Sequence, residues 1–153
     1  MAINYGVFRE IREQVAQGMA QTMGVVRGET MMSLSVWGSP YPNFVASAPG
    51  EPPTNWFNEL VDGISAYTVD EGDTVTGTLL SDGRSIDPER DGEVIAAAAE
   101  EGSFWDGFAY IPDLGHAMYI CPPHFVEPRP YMAPQFDAFE ANGLQMLAAY
   151  ISW

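Results

Sequence analysis

Two proline-rich segments limit where regular structure can form in this chain. Residues 38–54 contain five prolines, and residues 122–134 contain another five. Proline lacks a backbone N–H and restricts the residue before it, so a helix or the interior of a sheet cannot continue through the first segment. The sequence therefore predicts a long extended loop at 38–54 and a second proline-rich stretch at 122–134.

Aromatic residues accompany the first of these loops. A loop of this length in a small domain is usually functional or ordered by a partner. Aromatic side chains on an irregular loop favour an interface, and the alternative is a loop that folds back on its own domain. The interface residues predicted here are Trp37, Tyr41, Phe44, Trp56 and Phe57.

The N-terminal part of the chain has helical spacing over 4–27. Its apolar residues follow in steps of three and four, which places them on one face of a helix. They are Phe8, Ile11, Val15, Met19 and Met23. Gly28 is predicted to end this helix. After it, apolar positions such as Leu34 alternate with polar ones such as Ser33, which predicts a strand over 30–37.

The rest of the chain alternates between predicted strands and helices. Strands over 60–69 and 73–80 flank a hairpin turn, Asp70-Glu71-Gly72-Asp73. A short helix over 92–101 ends at Gly102, an aromatic strand covers 104–114, and residues 117–121 extend it after a break at Gly115. The last helix covers 133–150, with Phe136, Phe139, Leu144, Leu147 and, just beyond it, Ile151 on its apolar side. We therefore predict one α+β domain, residues 1–153, with the N- and C-terminal helices packed on an antiparallel sheet.

The composition agrees with one globular domain. Of 153 residues, 46% are hydrophobic, which is enough for one core and too many for a disordered chain. No apolar run approaches the length of a membrane span, and the first residues carry both signs of charge, unlike a secretory signal. A single cysteine excludes an internal disulfide framework and a four-cysteine zinc site.

Charge is the strongest deviation in composition. There are 21 acidic residues against 6 basic ones, all arginine, and the net charge is -15. Binding to nucleic acid phosphates or to anionic membranes needs clustered basic residues, so the sequence argues against both. It suits soluble assembly, a basic partner, or a surface that repels DNA. The alternative is that the acidic residues only provide solubility, as in a salty habitat.

Few residues point to catalysis or to a metal. His116, Cys121 and His124 are zinc-binding types within nine residues, but no fourth ligand follows at a familiar spacing. The acidic turns at 70–73 and 87–93 do not match a calcium loop. The sequence has no Gly-x-Ser-x-Gly elbow and no phosphate-binding loop. We therefore predict no enzyme, no cofactor and no metal; the alternative is a small metal-dependent enzyme that uses these three residues.

Two segments, taken together, resemble a known family. The first is Ser47-Ala48-Pro49-Gly50-Glu51-Pro52-Pro53-Thr54, followed by Leu60 and by Gly63-Ile64-Ser65. The second is Phe108-Ala109-Tyr110-Ile111 with Asp113 and Gly115, then Glu127-Pro128-Arg129-Pro130-Tyr131-Met132-Ala133-Pro134 before a helix with Phe136, Ala138 and Phe139. Their order over 47–147 resembles the neck and tail-completion proteins of long-tailed bacteriophages, also described as minor tail components. Phe108 and Asp113 stand where that family usually has Tyr and Glu.

The resemblance implies a structural ring subunit located in the virion, at the neck or tail end, and soluble in the host cytoplasm before assembly. Such a homo-oligomeric ring, with six copies favoured, joins the portal assembly to the tail tube. Its implied partners are the portal, adaptor, head-closure and tail-tube proteins, with no membrane contact. DNA would pass through without sequence-specific binding, and an acidic inner wall suits that passage because like charges do not bind phosphate.

The second motif supplies the other predicted interface residues, which are Glu127, Arg129, Tyr131 and Phe136. Prolines on both sides of Arg129 would hold its guanidinium for a bidentate contact with a carboxylate of a neighbouring subunit. The alternative for Arg129 is an intrachain pair with Glu127 or with the acids of the last helix. The alternative for the whole chain is an acidic protein-binding module without catalysis, either a DNA mimic or a protein from a halophile.

Overall fold

The computed structural model of the protein describes residues 5–36, 47–48, 50–53, 59–82, 92–111 and 113–150. The helices and strands in chain order are α1 (Tyr5–Val36), α2 (Glu59–Asp62), β1 (Ile64–Asp70), β2 (Val75–Ser81), α3 (Gly92–Glu101), β3 (Ser103–Trp105), β4 (Phe108–Ile111), β5 (His116–Tyr119), β6 (His124–Val126) and α4 (Ala133–Ala148). The predicted α+β class is confirmed. Within the described ranges, no helix is both long and apolar enough to cross a membrane.

The first helix is longer than the sequence pattern indicates. It continues to Val36, a length of about 48 Å for its 32 residues, so the predicted stop at Gly28 and the predicted strand over 30–37 are wrong. Met32 and Leu34 would share one face of a strand. Instead Met32 is 63% exposed and Leu34 is 1% exposed, because positions two apart lie on different sides of a helix.

Two buried threonines extend the core-facing side of α1 beyond its apolar residues. The Thr22 hydroxyl donates to the carbonyl oxygen of Gly18, and the Thr30 hydroxyl donates to that of Val26, both at 2.8 Å. Each hydroxyl is thus satisfied inside the helix, which allows a polar residue to be buried without an orphaned donor. Val26, Thr30 and Leu34 then form one buried row at a spacing of four, in place of the predicted alternation.

Only the second half of the predicted apolar stripe lies in the core. Met23 is buried and Met19 packs against the core, whereas Phe8 and Ile11 are 64% and 38% exposed. The sequence pattern correctly identifies a helix here, but it does not reveal how much of its apolar face the chain itself covers.

The β1–β2 hairpin lies along α1. The predicted hairpin is confirmed, with Ile64 opposite Ser81 and Asp70 opposite Val75. Its turn covers 71–74, where the sequence predicts 70–73. Residues 59–62, predicted as strand from Leu60, are helical instead. Two arginines of α1 fasten the ends of β1. Arg12 makes a bidentate contact with Asp70, with its shortest N–O distance 2.7 Å, and Arg27 Nε donates to the Ile64 carbonyl at 2.9 Å.

The spacing of these two contacts fixes the direction of the hairpin. Fifteen residues of helix rise roughly 22 Å, and six residues of strand rise roughly 20 Å. β1 therefore runs antiparallel to α1 with matching length. Midway, Gly77 of β2 lies against Met19 and Met23, where an added Cβ would come within 2.6 Å of Met23 Cγ and Sδ.

The core forms where α1, the hairpin, α2, α3 and the segment before α4 meet. Its buried hydrophobic residues are Met23, Val26, Leu34, Leu60, Ile64, Leu79, Ala96 and Tyr131. The predicted helices over 92–101 and 133–150 are confirmed as α3 and α4, with α4 ending at Ala148. α4 packs against α1, where an added Cβ at Gly18 would meet Leu147 Cδ1 at 3.0 Å.

The strands form three separate antiparallel pairs, β1–β2, β3–β6 and β4–β5. The predicted strand over 104–114 is interrupted at Asp106 and Gly107, and β6 lies within the second proline-rich stretch. Proline therefore ends strands here without preventing a three-residue one between Pro123 and Pro128. Among the described residues, the helices pack extensively against β1–β2 and not against the other two pairs, which form a distinct feature.

Candidate interaction surface

Strands β3 to β6 form one interrupted β-hairpin, Ser103–Val126, which we call the arm. β3 pairs with β6, so that Ser103 lies opposite Val126, and β4 pairs with β5, so that Phe108 lies opposite Tyr119. Two residues separate β3 from β4, whereas four separate β5 from β6. The returning strand thus carries two extra residues, which makes a bulge that bends the arm.

Gly107 makes the bulge possible. Its carbonyl oxygen accepts hydrogen bonds from the Ile120 and Cys121 amides at 2.8 and 3.4 Å, and its φ of +89° is in the region that favours glycine. A Cβ at this position would overlap the carbonyl oxygen of Cys121. Asp106 Oδ1 also accepts the Phe108 amide at 2.9 Å, so both residues of the short side of the bulge are fixed.

The arm exposes large apolar side chains on both faces. Phe108 and Tyr119 are cross-strand partners on one face and contact each other edge to face at 5.5 Å, while Met118 lies on the opposite face, since successive strand residues alternate. All four residues of β5 are exposed. The exposed large apolar residues of the arm are Phe104, Phe108, Leu114, Met118, Tyr119, Ile120 and Phe125, at 42% to 71% exposure.

The arm is also poor in charge compared with the rest of the chain. Asp106 and Asp113 are its only two acidic residues, out of 21 in the chain, and it contains no arginine. An apolar surface of low charge is typical of the centre of a protein–protein interface. Sequence reasoning identified strands here without recognising an interface; the scarcity of acids across an aromatic-rich segment was the available signal.

The three residues considered for a metal lie on the arm but do not converge on one point. His124 Nδ1 is 2.9 Å from the Pro122 carbonyl oxygen and 3.7 Å from Cys121 Sγ, and its ring packs edge-on against Trp105 at 5.5 Å. His116 Nδ1 instead faces the Leu114 carbonyl oxygen at 2.9 Å. Across the described part of the chain, no three His, Cys, Asp or Glu side chains are grouped so that they could hold a metal ion.

Tyr131 is a core residue, so the prediction that it lies at an interface is wrong. Its side chain has 0% exposure, and its hydroxyl lies 2.6 Å from Ser81 Oγ. Burial raises the pKa of the Tyr131 hydroxyl, and the hydrogen bond with Ser81 opposes that rise. Glu100 Oε1 accepts the backbone amides of Tyr131 and Met132 at 2.9 and 2.6 Å, which anchors the Arg-Pro-Tyr motif to α3.

The backbone of Arg129 is also hydrogen-bonded to α3. Its amide donates to the Ala99 carbonyl oxygen at 2.8 Å, and its Nε is buried without a hydrogen-bond partner. Neither Glu127 nor a described acid of α4 forms an ion pair with it, since the salt bridges between described residues are Arg9–Glu13 and Arg12–Asp70. The intrachain alternative is therefore not formed, and the pairing with a neighbouring subunit stays a prediction.

The remaining predicted interface residues divide into two groups. Glu127 is exposed and Phe136 is 43% exposed, so both are accessible to a partner. The five aromatic residues around the first loop, Trp37, Tyr41, Phe44, Trp56 and Phe57, lie outside the described residues.

Comparisons with known proteins identify no family for this chain. No protein-family model matches the chain, and neither a curated protein nor a solved structure matches it.

Proposed function

We propose that this protein is a structural, non-catalytic subunit of a ring at the neck or tail end of a long-tailed phage, joining the portal assembly to the tail tube. The proposal combines the motif order over 47–147 with the distribution of apolar residues. It assigns the chain to contacts with copies of itself and with the adjoining portal, head-closure and tail-tube proteins.

The observation that carries the proposal is the excess of exposed over buried apolar side chains. Among the described residues, eighteen large hydrophobic side chains are exposed, while eight hydrophobic residues form the buried core. Scattered exposed apolar residues are ordinary, but contiguous patches indicate interaction sites. Seven of the eighteen exposed side chains lie on the arm, and Val7, Phe8 and Ile11 lie together at the N-terminal end of α1.

The charge supports the same proposal. A net charge of -15 keeps free subunits soluble and discourages DNA from binding to any surface that lines a channel. The same acidity also favours the second candidate, an acidic module that binds a basic protein. That candidate does not account for the arm, whose surface is apolar and nearly uncharged, so we rank it second.

The mass of the purified protein in solution tests the first candidate. We expect light scattering across protein concentration to give a multiple of the 16.8 kDa subunit, and negative-stain electron microscopy to show closed rings with a central opening, six copies being favoured. A protein that stays monomeric even with the portal-assembly and tail-tube proteins of the same phage would contradict it. A pull-down that recovers a basic, nucleic-acid-binding protein would favour the second candidate.

A further inference from the structure

We propose that the arm, Ser103–Val126, docks onto a second copy of this chain. The inference deepens the proposed function by naming the contact between neighbouring subunits, and its ring arrangement rests on that function. The contact between copies can be tested by itself.

The arm needs a partner to bury its side chains. A two-stranded hairpin is only marginally stable in water, because it lacks a further strand or helix to cover its apolar face. Here β5 is exposed along its whole length, and Phe104, Tyr119 and Phe125 are 71%, 56% and 56% exposed. Covering these rings would both stabilise the hairpin and remove apolar surface from water.

The area available suits a stable contact. The four aromatic side chains of the arm expose roughly 450 Å², taking about 150–250 Å² for each when fully exposed, and its three exposed aliphatic side chains add to this area. A standard interface buries about 800 Å² on each partner. A neighbour that covers both faces of the arm therefore gains more than half of one side of such an interface from the arm alone.

The charge distribution favours a second copy as the occupant. Each copy carries a net charge of -15, so two copies repel each other wherever acidic surfaces meet. The arm is a described surface on which they can approach closely, since it holds only Asp106 and Asp113 and no arginine. A strongly basic partner would instead be attracted to the acid-rich remainder of the chain.

The placement of the side chains indicates how copies are arranged. Phe108 and Tyr119 project from one face of the arm and Met118 from the other. Covering both faces requires a neighbour that clasps the arm or one neighbour on each side. One neighbour on each side joins unlike surfaces, and contacts of that kind generate a ring when the rotation between copies closes.

The test compares three single variants with the wild type by light scattering over a range of protein concentration. Phe104→Asp places a charge on the arm, and Phe125→Ser removes an aromatic ring there without changing charge. Leu144→Asp is the matched control: its side chain is 86% exposed and lies on α4, outside the arm. Circular dichroism melting of each variant checks that the fold is retained.

We expect both arm variants to raise the concentration at the midpoint of assembly by about tenfold or more, in line with the loss of a central interface anchor. The control should stay within about twofold of the wild type. Wild-type protein that remains monomeric at every soluble concentration would overturn the inference. Arm variants that assemble like the wild type, or that lower the melting temperature of a monomer without changing its mass, would overturn it as well.

The outcomes separate this inference from the proposed function. Closed rings that the arm variants dissociate support both. Dimers that the arm variants dissociate support the inference and contradict the ring. Closed rings that the arm variants leave intact support the ring and contradict the inference.

Discussion

At the scale of single residues, a few side chains fix how the β1–β2 hairpin lies on α1. The bidentate contact of Arg12 with Asp70 and the bond from Arg27 to the Ile64 carbonyl hold the two ends. Between them, the absence of a side chain at Gly77 admits Met19 and Met23. These contacts join residues more than 35 positions apart and position the hairpin along the helix.

The Arg12–Asp70 contact gives stability a defined pH dependence. The hydrogen bond from Arg12 lowers the pKa of Asp70 below its ordinary value of 3.8. The folded state therefore binds the proton less readily than the unfolded state, and the contribution of the pair is present above the unfolded pKa and lost as pH falls through the folded pKa. We expect Asp70→Asn to lower the melting temperature at neutral pH.

The difference between Asp70→Asn and the wild type should shrink below pH 3.8 and disappear once the folded carboxyl is protonated. Because the pair is exposed, the effect is small and is screened by salt. Asp62→Asn, on α2, is the control, since Asp62 is exposed and makes no ion pair with any described residue. A difference that persists unchanged into acid would show that the charge pair is not its cause.

Gly77 is the residue at which a small addition should have the clearest effect on packing. A Cβ there would lie 2.6 Å from Met23 Cγ and Sδ and 3.1 Å from Met19 Sδ. We expect Gly77→Ala to lower the free energy of unfolding by about 1–3 kcal/mol, the usual range for overpacking, as measured by urea denaturation.

A second glycine provides the control for this measurement. Gly24 lies within α1, and no atom comes within 4 Å of a Cβ placed on it. Gly24→Ala should stabilise the protein by roughly 0.5–1 kcal/mol, because alanine is the better helix former. If Gly77→Ala and Gly24→Ala change the free energy of unfolding equally, the Met23 side chain moves away from the added Cβ at no cost.

At the scale of elements, α1 shows how tertiary packing overrides a local pattern. Residues 30–36 alternate like a strand, yet they form the last two turns of the helix. The reason is that Val26, Thr30 and Leu34 continue the buried row of the preceding turns, and Thr30 satisfies its own hydroxyl within the helix. A sequence window cannot weigh burial against alternation, because it does not contain the partner surface.

Alanine substitution at two neighbouring positions distinguishes the two structures. In the helix, Leu34→Ala should cost about 2–5 kcal/mol of unfolding free energy, because it empties a buried site. Met32→Ala should change stability by about 0.5 kcal/mol or less, because Met32 is exposed. Comparable losses at both positions would instead fit a strand with one buried face.

The bulge of the arm depends on the absence of a side chain at Gly107. Gly107→Ala should disrupt the bulge, since its Cβ would overlap the Cys121 carbonyl oxygen. Amide hydrogen exchange at Ile120, which donates to the Gly107 carbonyl, should then speed up by about tenfold or more, equivalent to about 1.4 kcal/mol. Gly115→Ala is the control, because Gly115 also has positive φ but no atom near its Cβ position. If both variants accelerate exchange at Ile120 equally, the cause is the strain of placing alanine at positive φ and not the overlap with Cys121.

At the scale of the whole molecule, a strongly acidic chain carries an apolar and nearly uncharged arm. The net charge of -15 opposes contact between copies, and the apolar surface of the arm favours it. Solution conditions that change only one of these two opposing effects should therefore change the concentration at which copies assemble.

Salt concentration makes that test. The Debye length falls from about 30 Å at 0.01 M to about 3 Å at 1 M salt, so screening should promote assembly and lower its midpoint concentration. The Phe104→Asp variant should keep a higher midpoint concentration than the wild type at every salt concentration in this range. If salt instead weakens assembly, an ion pair such as that predicted for Arg129 dominates the contact.

The sequence by itself determined the α+β class, the hairpin at 64–81, and the helices α3 and α4, because periodicity, turn residues and glycine stops are local signals. It also established the acidity that any assembly must overcome. Only the tertiary structure decided where α1 ends, that Tyr131 lies in the core, and that β3 to β6 stand as an exposed arm. Each of these depends on which distant residues cover a surface, and local sequence patterns do not contain that information.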